Sequence, residues 1–223
     1  MHTLSERLSI IASFVPKGKS VCDVGTDHGY LPAALYLSGD YPFVTATDIR
    51  QKPLDNAKKN LEKLNADGVK LILCDGLSGV SKQQAETVII AGMGGDVISG
   101  IIERCPFSKD SLFILQPMTA AGTLREYLAN NGFSVISETA VFENKKIYSV
   151  MVCKFDGVLR KLSASKKRIG ELTPANEQNK EYILKQLSIA QKCVFDLEKA
   201  GIENELLREN KTAIKEITKI LEG

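Results

Sequence analysis

Short apolar runs alternate with amphipathic stretches over the first two thirds of the chain, and the pattern changes after residue 156. The runs Ser20–Val24, Phe43–Thr47, Val69–Leu73, Thr87–Ala91, Leu112–Leu115, Phe133–Val141 and Lys146–Phe155 have strand length and are rich in strand-forming residues. Helix-period segments separate the first five, which predicts βαβ units and a parallel sheet. Only Phe142-Glu143-Asn144-Lys145 separates the last two. That is too short for a helical crossover and predicts an antiparallel hairpin. The expected fold class is α/β, with a Rossmann-like seven-stranded sheet whose last strand is reversed. A helix over Leu4–Phe14 should open the chain, with Thr3 and Glu6 as a capping box and Leu4, Leu8 and Ile11 along one face.

Beyond Gly157 the strand formers thin out. Ile183, Leu187, Ala190, Val194 and Leu197 recur at alternating spacings of 4 and 3, and Ile214, Ile217 and Leu221 repeat the pattern. This predicts a C-terminal α-helical coiled-coil hairpin, two long helices joined at Ala200-Gly201, with a shorter helix before it from Val158 to Gly170. Thr173-Pro174 suits the first turn of the first long helix. The expected division is a domain over 1–156 and a helical domain over 157–223. Lys and Arg number 13 against 11 Asp and Glu from residue 156 onward, so the net charge of +2 belongs to this tail. Its densest basic stretch is Arg160, Lys161, Lys166, Lys167 and Arg168, which is either a solvated helix face or a contact for nucleic acid.

With 43% hydrophobic and 25% charged residues, the composition is that of a globular protein. No run approaches the ~20 apolar residues of a membrane-spanning helix, and MHTLSERLSI has no small-residue cleavage site, so neither a membrane anchor nor a signal peptide is expected. The five cysteines are dispersed, odd in number and never paired as C-x-x-C, which suits reduced thiols in a cytoplasm. Two histidines, His2 and His28, leave no basis for a multi-histidine metal site.

The loop after the first strand, Asp23-Val24-Gly25-Thr26-Asp27-His28-Gly29-Tyr30, narrows the ligand class. In an open α/β sheet this strand end is where a nucleotide-like ligand sits. The loop lacks the second glycine of G-x-G-x-x-G, and two carboxylates would repel a pyrophosphate placed at the helix N-terminus. Asp23 and Asp27 suit instead a ligand carrying an ammonium and a sulfonium, as S-adenosylmethionine does. Asp48 closes the second strand, where an acid can accept from both ribose hydroxyls, and a helix cap is its alternative role. Asp75-Gly76 closes the third, where a carboxylate can accept from an adenine amino group.

Asp-Val-Gly-Thr-Asp-His-Gly-Tyr-Leu-Pro (23–32), Ala-Gly-Met-Gly-Gly (91–95) and Leu-Gln-Pro-Met (115–118) resemble the bacterial tRNA (adenine-N1)-methyltransferase family TrmK, which modifies adenine 22. The resemblance runs over the whole chain. It implies a class I S-adenosylmethionine-dependent methyltransferase domain followed by a coiled coil, with tRNA as partner and S-adenosyl-L-methionine as cofactor. Carried over residue by residue, it puts Asp23, Gly25, Gly29, Asp48, Asp75, Gly76, Gly92 and Met93 in the cofactor pocket. Asp27, His28 and Tyr30 are the catalytic candidates. Asp27 would face charge developing on the base, His28 would bond base or phosphate, and Tyr30 would stack. Gln116 and Pro117 could meet the Watson–Crick edge, with Lys166, Lys167 and Arg168 on the tRNA. Gly92-Met93-Gly94-Gly95 replaces the Asn/Asp-Pro-Pro-aromatic run of exocyclic-amine methyltransferases, which disfavours N6 as acceptor. The rival readings are a methyltransferase of this fold acting on another RNA, a small molecule or a protein, a non-catalytic cofactor-binding scaffold, and a helical adaptor fused to an NAD-binding domain. A monomer or weak homodimer is expected.

Overall fold

The computed structural model describes residues 4–223. Helix α1 (Glu6–Ser13) opens them, and its cap is Ser5, whose hydroxyl accepts from the Leu8 amide. The expected capping box therefore gives way to a serine one residue before the helix, and Thr3 lies outside the described residues. The sheet comprises β1 (Val21–Val24), β2 (Val44–Asp48), β3 (Lys70–Leu73), β4 (Thr87–Gly94), β5 (Leu112–Thr119), β6 (Phe133–Glu143) and β7 (Lys146–Phe155) in the order β3-β2-β1-β4-β5-β7-β6. Strands β1 to β5 are parallel, and β7 is antiparallel to both neighbours. Sequence and structure agree on all seven strands to within a few residues at each end.

One difference bears on the site. Strand β4 continues past Ala91 through Gly92 to Gly94, pairing with β5 across two register shifts. Glycine carries no strand propensity, so the run reads as a loop in sequence; pairing with β5 overrides that local preference.

Helices α2 (Tyr30–Ser38) and α3 (Gln51–Lys63) lie on one face with α1; α4 (Gly95–Arg104) and α5 (Ala121–Asn130) lie on the other. Adjacent residues of the central strands feed opposite cores: Val88 and Ile90 join Phe113, Leu115 and Ile98, whereas Ile89 joins Val21, Ile114 and Leu31. A strand covered on both faces draws apolar residues at adjacent positions, which is why Val88-Ile89-Ile90 of β4 reads as a continuous run rather than an alternating one.

The last helices are α6 (Ala164–Ile169), α7 (Glu177–Lys199) and α8 (Glu205–Glu222). Residues 158–163 are not helical, so α6 is half the expected length and is capped by Ser163. Helix α7 begins at an Asn176 cap that accepts from the Asn179 amide at 2.8 Å, three residues after the expected Thr173-Pro174 start. The α7–α8 joint falls where expected, at Ala200-Gly201, with Gly201 at φ +67°. A third apolar cluster joins Ile183, Tyr182, Ala213 and Ile217 of these helices to Ala140 and Ile147 of the β6–β7 hairpin.

Beside it lies a buried ion pair. Arg125 of α5 donates to Glu138 of β6 at 2.6 Å, and both side chains are at most 2% exposed. The same guanidinium donates to Ser149 and Tyr182 and to the carbonyls of Lys167 and Arg168. Burial would lower its affinity for a proton, but the Glu138 carboxylate and Tyr182 hold it above the ordinary arginine value. Gly170 is at φ +62°, and a Cβ there would lie 1.9 Å from Glu138 Oε2, so only glycine lets the chain pass this pair.

Candidate active site

The parallel register brings the ends of β1, β2 and β4 level, since Val24 pairs with both Thr47 and Ile90. The loop after β1 is strapped to β2 by the Gly25 and Thr26 amides, which both donate to the Thr47 carbonyl. Gly25 sits at φ +79°, and a Cβ there would lie 2.0 Å from the Met93 methyl group. The loop is therefore pressed onto β4, and Met93 supports it from below. Gly29, at φ +70°, packs against Ala57 of α3, and Asn60 donates to the His28 carbonyl.

The result is a hollow of about 350 Å³ lined by Asp23, Gly25, Asp27, His28, Gly29, Tyr30 and Gly92 together with Arg7 and Met118. Asp23 lies at its floor and is nearly buried. Burial raises its carboxyl from 3.8 to about 6, against the opposing pull of the Thr26 hydroxyl and the Arg7 charge. Asp27 and His28 stand on the rim, with side chains 68% and 54% exposed and His28 Nε2 3.2 Å from a carboxylate oxygen of Asp27. The His28 and Tyr30 rings stack with centroids 5.7 Å apart.

A second hollow of about 260 Å³ is lined by Asp75, Gly76, Leu77, Ser78, Ile101 and Arg104. Thr47 donates to the Gly76 carbonyl, and Arg104 reaches Asp75 at 3.3 Å. Asp48 ends β2 and lines neither hollow. It is buried, and its Oδ1 accepts the Arg50 amide at 2.8 Å while the helix itself has Arg50 at its cap position. Its role as the cap of α3 is thereby set aside.

These positions fit S-adenosylmethionine on structural grounds. A buried carboxyl with a raised pKa asks for a ligand cation such as an ammonium. Asp48 keeps a second oxygen for hydroxyl donors, and Gly25 supplies the positive φ, +79°, with which the chain turns above Met93. Among the described residues no group of three or more His, Cys, Asp or Glu is placed to hold a metal, and no helix is long and apolar enough to cross a membrane.

Two expectations need correcting. Gln116 is fully buried: its Oε1 accepts from Arg7 at 2.8 Å and from the Gly92 amide at 3.1 Å, and its Nε2 donates to the Pro117 carbonyl. Its carboxamide braces the Gly92 turn and does not face a base. Pro117 is also buried, at the wall of a different cleft. Most of the basic stretch on α6 is matched inside the chain: Lys166 pairs with Glu171 and Lys167 with Glu126 and Glu209, while Arg168 donates to the neutral amide of Asn210.

Sequence reasoning missed Arg7. It lines the hollow, ties α1 to Glu143 of β6 at 2.6 Å and orients Gln116. The signal was there, because position 7 falls within the apolar stripe of Leu4, Leu8 and Ile11, where a charge needs a partner.

Lowering the pH through about 6 should weaken binding of a cationic ligand by protonating Asp23. A carboxyl whose folded value exceeds its unfolded one makes folding less favourable as pH rises through the interval between them. Without ligand, Asp23 should thus contribute a loss of stability between about pH 4 and 6, which a bound cation offsets. Melting curves with and without S-adenosylmethionine at pH 5 and 7.5 should show the larger ligand-induced rise at 7.5. An equal rise at both would mean that Asp23 does not meet the cation.

A family model described as a methyltransferase domain matches residues 4–151. The tRNA (adenine(22)-N(1))-methyltransferase of Bacillus subtilis is 34% identical over 157 residues, which span 68% of this chain and 65% of that protein, just under two thirds of its length. A Streptococcus pneumoniae protein solved with S-adenosyl-L-methionine is 30% identical, with 98% of this chain and 100% of that chain covered and a TM-score of 0.80. Mycoplasma capricolum TrmK, solved with S-adenosyl-homocysteine, is 25% identical, with 99% of each chain covered and a TM-score of 0.79.

Proposed function

The chain belongs to the TrmK family of class I methyltransferases, and from that premise we propose that it methylates N1 of adenine 22 in tRNA. The observation that carries this reading is the row of acids at three consecutive parallel strand ends, the first buried with a raised pKa, beside a rim carboxylate left exposed. When bound, S-adenosylmethionine supplies an electrophilic sulfonium methyl. Asp23 takes the ammonium of its methionine part, Asp48 accepts from the ribose hydroxyls, and Asp75 with Gly76 receives the adenine.

Adenine N1 keeps its lone pair in the neutral base, so no residue of this chain has to remove a proton before transfer. The protein's contribution is orientation, which can supply ~7–11 kcal/mol, together with a charge to match the cation that forms on the base. Asp27 holds that charge on the rim, with His28 beside it. Tyr30, stacked on His28, offers the flat face. The chain divides at about residue 156 into this catalytic domain and a helical domain; the family match ending at residue 151 and the absence of strands among the described residues 156–223 support the division.

Labelled methyl transfer to unmodified tRNA transcripts tests the reading. Incorporation should vanish when adenine 22 is replaced by guanine, and label that persists in that transcript would overturn the assignment. Asp48→Ala should weaken donor binding about 10-fold or more, since charge-assisted hydrogen bonds contribute about 1.5–3 kcal/mol. Unchanged affinity by calorimetry would remove Asp48 from the site.

A further inference from the structure

A hollow of about 570 Å³, larger than the one that holds Asp23, lies elsewhere on the molecule. It is a cleft between the sheet and the C-terminal helices. Its walls are the end of β5, the first turn of α5, the start of β7, and α6, α7 and α8. Because β7 runs antiparallel to β5, the start of β7 lies at the same edge of the sheet as the end of β5. The cleft therefore opens at the carboxyl edge where the first hollow lies, and Met118 lines both. Its volume is that of a ligand site rather than a packing flaw, since such sites typically occupy ~300–1,000 Å³.

The charges on its walls do not cancel. Lys167 is offset twice, by Glu126 at 2.6 Å and Glu209 at 2.7 Å. Those are the only carboxylates lining the cleft among the described residues. Arg168 meets only the neutral amide of Asn210. Lys185 of α7 reaches nothing but the Ile147 carbonyl, at 3.4 Å. Lys146, at the start of β7, has no ion-pair partner among the described residues. Helix α5 adds its positive end to the same wall with no side-chain cap at Ala120. Uncompensated cations from three elements on one roomy cleft, Lys146 of β7, Arg168 of α6 and Lys185 of α7, suit a ligand with several anionic groups.

We infer that this cleft grips the phosphodiester backbone flanking the target adenine, with Lys146 and Lys185 as the phosphate contacts, so that the base passes Met118 into the first hollow. The inference rests on the tRNA reading above. N1 lies on the Watson–Crick edge, so the base has to leave any pairing before transfer, and the strand on either side of it has to be held while it does. Lysines on β7 and α7 hold it from two elements fixed to each other through the cluster around Ile147 and Ile183.

The test is the double variant Lys146→Glu/Lys185→Glu in the full chain, with Lys146→Gln/Lys185→Gln as the milder pair. Both side chains are exposed, so folding should survive, and a melting curve checks it. Anisotropy with fluorescent unmodified tRNA should show affinity reduced roughly 10-fold or more near 0.1 M salt. The slope of log affinity against log salt should become shallower by about 1.4, two contacts at ~0.7 each. The Michaelis constant for tRNA should rise, while donor affinity by calorimetry and turnover at saturating tRNA stay near wild type. If the wild-type chain methylates tRNA and the folded variants keep its affinity and salt slope, the cleft is not the RNA site. A wild-type chain that does not methylate tRNA overturns the reading on which the inference stands.

Discussion

Asp27→Asn should lower turnover by ~10²–10³ while leaving the affinity for S-adenosylmethionine near wild type. The two carboxylates of the loop are set apart by depth. Asp23 lies at the floor of the hollow, with its pKa pushed to about 6, whereas Asp27 stands on the rim. A cofactor ammonium is drawn to the buried charge, which has most to gain from a counterion. The rim carboxylate is left facing whatever covers the opening. In the unliganded protein Asp27 is largely solvated and screened, so its charge does little. Once a base covers the hollow, water leaves and the same charge acts in a lower dielectric on a ring that becomes cationic during transfer. An interaction that strengthens toward the transition state appears in turnover, not in ground-state binding. Asparagine keeps the shape and removes the charge. Single-turnover kinetics at saturating donor, together with calorimetry, separate the two effects. A variant that loses donor affinity and keeps its turnover would make Asp27 a binding residue and pass the catalytic assignment to His28 or Tyr30.

The parts of the fold and site legible in sequence were those fixed by local chemistry. Strand length and composition located all seven strands, and the four-residue gap at Phe142–Lys145 was enough to reverse the last one. The glycines at 25 and 29 marked the loop after the first strand, and the structure has both at positive φ. The parts that stayed hidden depend on partners far away in the chain. Gln116 reads as a polar strand end free to meet a base, because its partner Arg7 is 109 residues distant. Lys166 and Lys167 read as part of an open basic face until Glu171, Glu126 and Glu209 fold against them. Lys146 and Lys185 attracted no notice, since each is isolated among ordinary neighbours and only the packing of α7 beside β7 puts them on one cleft. Charge density along a sequence is thus a poor guide to a nucleic-acid face; charge left over after folding is a better one.

Removing Glu138 should be the most destabilising single change away from the site, at about 3–5 kcal/mol. For a chain of this size each kcal/mol shifts the melting temperature by ~2–4 °C, so Glu138→Ala should melt ~6–20 °C below wild type. The cause is the charge left behind. Arg125 is 2% exposed, its Nε already lacks a partner, and its other donors go to two carbonyls, Ser149 and Tyr182. None of these is an anion, so without Glu138 the guanidinium is buried and uncompensated. Glu138 also accepts the Glu171 amide at 2.9 Å, so its loss frees the chain at Gly170–Glu171. The pair ties α5 and β6 to α6 and α7, so its failure should loosen the C-terminal helices against the sheet before the sheet itself opens. Hydrogen exchange should show early loss of protection in α6 and α7. Replacing both partners by apolar residues, Arg125→Met with Glu138→Leu, should recover much of the loss, because a buried ion pair contributes little net stability over a packed apolar one. A double variant as unstable as Glu138→Ala would mean that the hydrogen bonds to the Lys167 and Arg168 carbonyls, not the ion pair, hold the joint. If Glu138→Ala melts within ~2 °C of wild type, water reaches Arg125 and the joint rests on the Ile183 and Ile217 cluster alone.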